Sequence, residues 1–359
     1  MHVVFAAGGT AGHLEPALTT ADALVQRDRT TAVSFIGGSR GLEAELVTAR
    51  GYPLVATTAQ PFPRRLSASA VAFPFLTIEG VWQAAAHLRA VSADVVVGFG
   101  GYAAVPGYAA AWLTRTPLII HEANSRAGFA NVLGAKWTKN VASVRPGVLA
   151  RALPMGLPLR PSVAQLDVAE QRSAARQMWD LPDQGPVVLI FGGSQGARHL
   201  NDVVAGSIQA LTDAGVSVLH AVGRNNLLPD PHPNYRPVAY IDHMDMAYAA
   251  ADLAVCRSGA MTCAELTAVG VPAIYVPLPI GNGEQAGNSR PIVDAGGGLQ
   301  VADEALTSEW LTTTALTLVQ DEGRLQTMAS AALCLGDRDA GEAMVRWVGD
   351  VVEQRRKGR

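Results

Sequence analysis

Val3-Val4-Phe5-Ala6-Ala7-Gly8-Gly9-Thr10-Ala11-Gly12-His13 opens the chain, and Val187-Val188-Leu189-Ile190-Phe191-Gly192-Gly193-Ser194-Gln195-Gly196-Ala197-Arg198 repeats its plan near the middle. Each stretch reads as an apolar strand, a tight glycine turn and a helix start. Unbroken apolar runs suit strands buried on both faces of a parallel sheet. The turn leaves the first N–H groups of the helix without intrahelical partners and presents the positive end of its dipole, a setting that favours an anion. One such turn is a weak signal. Two, opening the two halves of the chain, point to paired nucleotide-binding-type domains with a cleft between them.

Working outward from the first turn, β-branched runs alternate with helical patterns. Strands are expected over residues 2–6, 32–36, 94–98 and 117–121, with helices over 16–26, 41–50 and 80–92. The second half follows suit, with strands over 187–191, 217–221, 238–241, 253–256 and 273–276, and helices after Gly196, Asp245, Gly259 and Gln285. Alternation of this kind predicts an α/β fold of parallel strands joined by helical crossovers. Pro154-Met155-Gly156-Leu157-Pro158-Leu159-Arg160-Pro161 is too rich in proline for a helix or a central strand and reads as an interdomain linker. Domains are therefore expected over 1–158 and 159–340. Residues 341–359 form a C-terminal helix and a basic tail, placed to pack back on the first domain, with the last seven residues solvated.

A chain of 359 residues, 49% of them apolar, can bury two cores. Its formal net charge of -3 carries no basic bias, so a nucleic-acid partner is not expected. Cys256, Cys263 and Cys334 form no CxxC pair, which argues against a disulfide framework or a zinc site; small buried or half-buried residues are expected instead. No secretory signal and no apolar run long enough to span a bilayer is evident.

Several residues stand where chemistry is done. His13 ends the first turn, at the sheet edge where open α/β folds place ligands; it is either a proton acceptor or a side chain that only hydrogen-bonds the turn. In the second turn Ser194 can add a hydroxyl to the backbone donors around a phosphate, or the turn serves close helix–strand packing. No Gly-Lys-Ser/Thr follows, so this is not a Walker A loop. Arg257-Ser258-Gly259-Ala260-Met261-Thr262-Cys263-Ala264-Glu265 follows another apolar strand. Ser258 is placed as an N-cap, and a diphosphate there would meet a helix N-terminus rather than a metal. Glu265 either accepts bonds from a ribose diol or is a surface glutamate. Gln285 and Asn288, at i and i+3, share one helix face and suit sugar hydroxyls, or make an ordinary polar helix start. The apolar segment from Phe73 through Phe75 and Leu76 to Trp82, broken by Pro74 and Gly80 and preceded by Arg64 and Arg65, is either a core helix or a membrane-docking element.

Five motifs occur in the order of one family: Gly8-Gly9-Thr10-Ala11-Gly12-His13, Gly98-Phe99-Gly100-Gly101-Tyr102, His121-Glu122-Ala123-Asn124, Gly192-Gly193-Ser194-Gln195-Gly196-Ala197-Arg198 and Arg257-Ser258-Gly259-Ala260. With them the chain resembles the MurG family of N-acetylglucosaminyltransferases, from the first strand to about Asp303. The resemblance implies a GT-B fold, two Rossmann-like domains facing a cleft. It implies UDP-N-acetylglucosamine as donor, bound mainly by the second domain. The acceptor on the first domain would be lipid I, undecaprenyl-diphospho-N-acetylmuramoyl-pentapeptide, and the product lipid II. It further implies no cofactor and no metal, a peripheral place on the cytoplasmic face of the plasma membrane, and other cell-wall enzymes as candidate partners. Donor contacts carry onto Thr10, Ala11, Gly12, Asn124, Arg160, Ser194, Ile241, Gln285 and the Ala260, Met261, Thr262 and Glu265 helix start, with Asn288 beside Gln285. Ile241 would meet uracil through its backbone, and His13 would be the base. Phe73, Phe75, Leu76, Trp82 and Trp112 become membrane-docking candidates.

Two positions depart from the family pattern. Ala11 replaces a glycine, so the turn should hold negative φ there. Glu284 stands where many members have glutamine, placing a negative charge near the sugar site. Alternatives from other classes are another GT-B glycosyltransferase, a UDP-N-acetylglucosamine 2-epimerase, and a non-catalytic nucleotide-sugar-binding protein.

Overall fold

The computed structural model describes residues 1–38, 42–58, 60, 68–193, 196–280 and 282–358. The chain divides into two compact units, Met1–Arg160 with Asp339–Arg359, and Pro161–Arg338.

The first unit runs β1 (His2–Ala7), α1 (Ala11–Arg27), β2 (Ala32–Gly38), α2 (Leu42–Ala49), β3 (Leu54–Thr57), α3 (Ala68–Ala90), β4 (Val95–Gly100), α4 (Val105–Thr114), β5 (Leu118–Glu122), α5 (Phe129–Gly134), β6 (Asn140–Ser143) and β7 (Leu153–Pro154). All these strands pair in parallel, in the order β3-β2-β1-β4-β5-β6-β7. The order reverses between β1 and β4, and open α/β sheets place ligands at the carboxyl ends of strands beside such a switch. Successive β1 side chains feed opposite faces. Val3 and Phe5 join a core with α1, while Val4 and Ala6 join another with α3 and α4.

The second unit runs α6 (Pro161–Ala164), α7 (Val168–Met178), β8 (Val187–Phe191), α8 (Arg198–Asp213), β9 (Ser217–Ala221), β10 (Tyr235–Val238), α9 (Met244–Ala250), β11 (Leu253–Cys256), α10 (Ala260–Val269), β12 (Ala273–Tyr275), α11 (Glu284–Asp294), β13 (Gly298–Gln300), α12 (Ser308–Val319) and α13 (Glu322–Leu333). Its strands are also parallel, ordered β10-β9-β8-β11-β12-β13, the same Rossmann-like plan. Here the switch falls between β8 and β11, each followed by one of the glycine turns read above.

The chain then returns to the first unit as α14 (Ala340–Lys357). Met344, Val348 and Val351 pack into the α1-side core. The last described residues, 353–358, are exposed, as their charge suggests, except for half-buried Arg355. They continue the helix, and Arg355 donates to the carbonyls of Ala93 and Asp94 at 3.1 and 2.9 Å. Basic side chains in a last turn also complement the helix dipole.

Other differences have local causes. α1 starts at Ala11, five residues ahead of the expected 16, because Pro16 is tolerated inside it. The carbonyl that Pro16 cannot serve, four residues back, belongs to exposed Gly12, where water can serve it. α3 likewise runs from Ala68 through Pro74 and Gly80 to Ala90. Strand β10 covers Tyr235–Val238 rather than 238–241, with Pro237 on an edge strand, and leaves Ile241 in the loop that follows. The helix after Gly259 is capped by Gly259 itself, not Ser258. Cys256 and Cys263 are buried as expected, but Cys334 is exposed.

Candidate active site

The first glycine turn is built on close approaches. Gly9 takes φ +90°, and a Cβ there would sit 3.1 Å from the Tyr102 ring. Gly100, the last residue of β4, and Gly101 after it take φ +89° and +82°; a Cβ on Gly101 would meet the Gly8 carbonyl oxygen at 1.8 Å. Only glycine fits there. The two turns flanking the switch point therefore touch backbone to backbone. Thr10, exposed and extended, is the N-cap residue of α1. Its Oγ1 lies 2.9 Å from His13 Nδ1. If Nδ1 carries the proton and donates to Thr10, the lone pair is left on Nε2, as a general base requires. Beneath the turn, the buried Glu43 of α2 accepts the Gly9 N–H at 2.6 Å.

The end of β5 carries His121, Glu122 and Asn124. His121 is fully buried, and that burial lowers its pKa. Its Nε2 lies 2.9 Å from the Gly156 carbonyl, so the neutral ring donates there and holds the 155–156 segment. Buried Glu122 organises the loop that follows. Its carboxylate accepts from the backbone N–H of Asn124 and Gly128 at 2.9 and 3.0 Å, and from Asn131 Nδ2 at 2.8 Å. Tyr108, wholly buried, donates to Asn131 Oδ1 and accepts the Gly100 N–H. One buried polar chain thus fixes both the Gly100 turn and the Asn124 loop. Arg160 is the last residue of the first unit's main segment.

In the second unit, Gly196 (φ +78°) turns the chain after β8, and a Cβ there would strike the Val222 carbonyl oxygen at 2.1 Å. Ser194 lies outside the described residues. A cavity of about 140 Å³ opens beside this turn, lined by Gly192, Gly193, Ile241, Tyr248, Thr262 and Glu265. Glu265 is not a surface glutamate. It is 4% exposed and its Oε2 accepts from Tyr248 Oη at 2.7 Å. Ala260, Met261 and Thr262 form the first turn of α10. At its foot Ser258 is completely buried, and its hydroxyl has no partner among the described residues. A buried hydroxyl without a partner is costly unless a ligand or water completes it. Gln285 Oε1 accepts the Leu278 N–H at 3.0 Å, and Asn288 Nδ2 donates to the Ser258 carbonyl at 3.2 Å. Both amides lie on α11, one turn apart as their spacing requires. Arg257 is committed elsewhere: it pairs with Asp303 and donates to the Val276 carbonyl. Among the described residues no cluster of three His, Cys, Asp or Glu side chains is placed to hold a metal ion.

Two family models cover these units. The glycosyltransferase family 28 N-terminal domain matches residues 3–143, and the family 28 C-terminal domain matches residues 187–344. A relative from Mycobacterium sp. (strain KMS), named UDP-N-acetylglucosamine--N-acetylmuramyl-(pentapeptide) pyrophosphoryl-undecaprenol N-acetylglucosamine transferase, is 49% identical, with 99% of this chain and 97% of that one covered. A protein of the same name from Streptomyces avermitilis is 48% identical, with 99% and 100% covered. The crystal structure of Acinetobacter baumannii MurG superposes with a TM-score of 0.79 at 28% identity, over 97% of this chain and 99% of that one. The chain belongs to the MurG family. Its fold is the GT-B type, built from two Rossmann-like units.

Both departures from the MurG family pattern have a local account. Ala11 is the first helical residue of α1 and takes no positive φ; Gly9 carries the left-handed turn instead. Glu284 folds back on its own helix start: its carboxylate accepts the Asn282 N–H while Asn282 Oδ1 accepts the Glu284 N–H. Glu43, Tyr108, Asn131 and Tyr248 were not singled out in the sequence. Each acts through a partner distant along the chain, and none stands in a motif of its own.

The membrane-docking candidates divide by exposure. Phe75, Trp82 and Trp112 are 72%, 62% and 58% exposed, while Phe73 and Leu76 are half-buried. The Trp112 ring stacks on Trp137, 6.2 Å between centroids. Arg64 and Arg65 lie outside the described residues. No described helix is long and apolar enough to cross a membrane.

Proposed function

We propose that this chain transfers N-acetylglucosamine from UDP-N-acetylglucosamine to the C4 hydroxyl of the N-acetylmuramoyl unit of lipid I, giving lipid II. The observation that carries this reading is the 49% identity, across nearly the whole of both chains, to a transferase named for that reaction. Identity of that extent in both halves favours the transferase over a GT-B enzyme sharing only the donor half, and over an epimerase.

The second unit binds the donor. Uracil lies against the Ile241 backbone in the cavity, and Glu265, oriented by Tyr248, accepts from the ribose diol. The diphosphate meets Ser194 and the α10 start at Ala260–Thr262, where the Ser258 hydroxyl supplies a further buried donor. Gln285 and Asn288 read the sugar hydroxyls, with Thr10, Ala11, Gly12, Asn124 and Arg160 completing the donor contacts. The first unit binds the acceptor.

The reaction is a single in-line displacement. The acceptor C4 oxygen forms a bond to the donor's anomeric carbon as the bond to UDP breaks, turning an α linkage into β. His13 takes the hydroxyl proton through Nε2, with Thr10 holding Nδ1. UDP leaves with its charge stabilised by the α10 N-terminus. The enzyme sits peripherally on the cytoplasmic face of the plasma membrane, seated by Phe75, Trp82 and Trp112. Other cell-wall enzymes are its natural neighbours there.

The test is a transfer assay with UDP-N-acetylglucosamine and a lipid I analogue, with UDP-N-acetylgalactosamine as competing donor. The expected product is the β-linked disaccharide from the first donor. Epimerised donor in the absence of acceptor, or UDP binding without transfer, would overturn the reading.

A further inference from the structure

The first unit holds a second cavity, of about 560 Å³, that the reaction as described does not use. A cavity between about 300 and 1,000 Å³ accommodates an organic ligand. Its walls come from α3 (Phe73, Thr77), the start of α4 (Val105, Pro106) and α5 (Phe129, Leu133). They are almost entirely carbon. Thr77 spends its hydroxyl on the Phe73 carbonyl at 2.7 Å. Among the described lining residues, the other polar side chains are those of Gln60, Tyr102 and His13.

We propose that this cavity binds the first isoprene units of the acceptor's polyprenyl chain. The proposal rests on the acceptor reading above and adds a subsite to it. Three observations select this occupant. His13, the base, lines the cavity, so whatever fills it is contiguous with the acceptor. A sugar, peptide or diphosphate would lose its hydrogen bonds to water against such walls without replacement, whereas a hydrocarbon chain loses none. Finally, the helix that supplies Phe73 and Thr77 also carries exposed Phe75, Ile78 and Trp82. A chain leaving a membrane surface held by those residues passes directly onto the cavity wall. Phe129 is 72% exposed at its mouth, an aromatic ring that an isoprenyl chain would cover.

The experiment uses the full chain without membranes or detergent. Lipid I analogues carrying a farnesyl or a methyl group on the diphosphate are compared in the wild type and in Phe129→Ser, a change at a position 72% exposed. Wild type is expected to prefer the farnesyl acceptor through KM, and Phe129→Ser to shrink that preference about tenfold, the scale set by apolar contacts in a pocket. Farnesyl diphosphate alone should bind wild type and compete with the farnesyl acceptor, with about tenfold weaker competition in the variant. Equal KM values for the two acceptors in wild type would overturn the subsite. So would a Phe129→Ser effect shared equally by both acceptors, or a loss of phospholipid-vesicle binding with the preference intact. Absence of transfer to any acceptor would instead fail the transferase reading. Farnesyl diphosphate binding, lost in Phe129→Ser, would then still decide the cavity.

Discussion

Glu43 and Gly9 are 34 residues apart in sequence, yet a carboxylate oxygen of one accepts the backbone N–H of the other at 2.6 Å. Glu43 is 2% exposed, so the bond replaces hydration that the carboxylate has given up. It fixes the turn that sets Thr10 and His13. Glu43→Ala should remove a charge-assisted bond worth about 1.5–3 kcal/mol, read as lost stability in urea unfolding. Turnover should fall through His13, and the KM for UDP-N-acetylglucosamine should rise through Thr10, Ala11 and Gly12. Glu43→Gln, which keeps an acceptor oxygen, should recover part of both. Full activity in Glu43→Ala would show that the turn holds itself.

His13→Ala tests the base. General-base assistance is worth roughly 10²–10⁴-fold, so kcat should fall by that factor while UDP binding, followed calorimetrically, stays near wild type. Thr10→Val should cost less, because it removes the hydroxyl at Nδ1 without removing the ring. Turnover surviving in His13→Ala would remove His13 from the mechanism.

Both sheets were legible in the sequence because their central strands are continuous apolar runs, the first of each sheet ending in a glycine turn. Val187–Phe191 is the clearest case, its strand beginning and ending where the pattern does. The edges were not legible. Strand β7 is two residues long and carries a proline, and Gly298–Gln300 is three, too short to set a period. Of the site, the glycine turns and the Gln285–Asn288 face could be read because local spacing carries them. The Glu43–Gly9 bond, the Tyr108–Asn131–Glu122 chain and the Tyr248–Glu265 pair could not, because each joins residues brought together only by the sheet order. Ser258 shows the opposite failure: its sequence fits an N-cap, but the helix begins one residue later and leaves the hydroxyl buried without a partner.

Tyr248→Phe removes one hydroxyl and leaves the ring. Its donor bond to Glu265 is lost. A hydrogen bond to a charged group contributes about 1.5–3 kcal/mol, so the KM for UDP-N-acetylglucosamine should rise about tenfold or more. The acceptor KM should not move. A rise in both, or in neither, would separate Glu265 from the ribose.

His220 predicts a pH dependence of stability. Burial pushes its pKa down from 6.5 to about 4, and the ring stays neutral between Tyr235 Oη and Asn201 Oδ1. The folded value lies below the unfolded one, so as pH falls the unfolded chain takes up the proton first. Stability from this residue is complete above about 6.5 and declines as pH drops toward 4. At about 1.4 kcal/mol per pH unit, the full loss is roughly 3 kcal/mol. Urea unfolding of wild type at pH 7 and pH 4.5 should show most of that difference, and His220→Asn should flatten it. Equal slopes in the two proteins would place the acid sensitivity elsewhere.

Arg176 gives the largest expected loss of stability. It is 2% exposed on α7, pairs with Asp252 at 3.0 Å, and donates to the carbonyls of Asp183 and Ala250. The same Asp252 oxygen accepts the Val187 N–H at 2.8 Å, and Arg172 reaches its other oxygen. One carboxylate therefore ties α7 to the start of the central strand of the second sheet. Removing Arg176 leaves the carbonyls of Asp183 and Ala250 without their donor and Asp252 with only Arg172 and the Val187 N–H, which places the cost toward the lower end of the about 3–5 kcal/mol for breaking a buried pair. Arg176→Ala should lower stability by that amount, and Asp252→Asn by less, since its amide oxygen can still accept from Val187. A double variant Arg176→Met, Asp252→Asn should recover part of the loss, because methionine refills the buried volume that alanine leaves empty. If Arg176→Ala unfolds at the wild-type denaturant midpoint, water reaches the pair in solution and the tie is not structural.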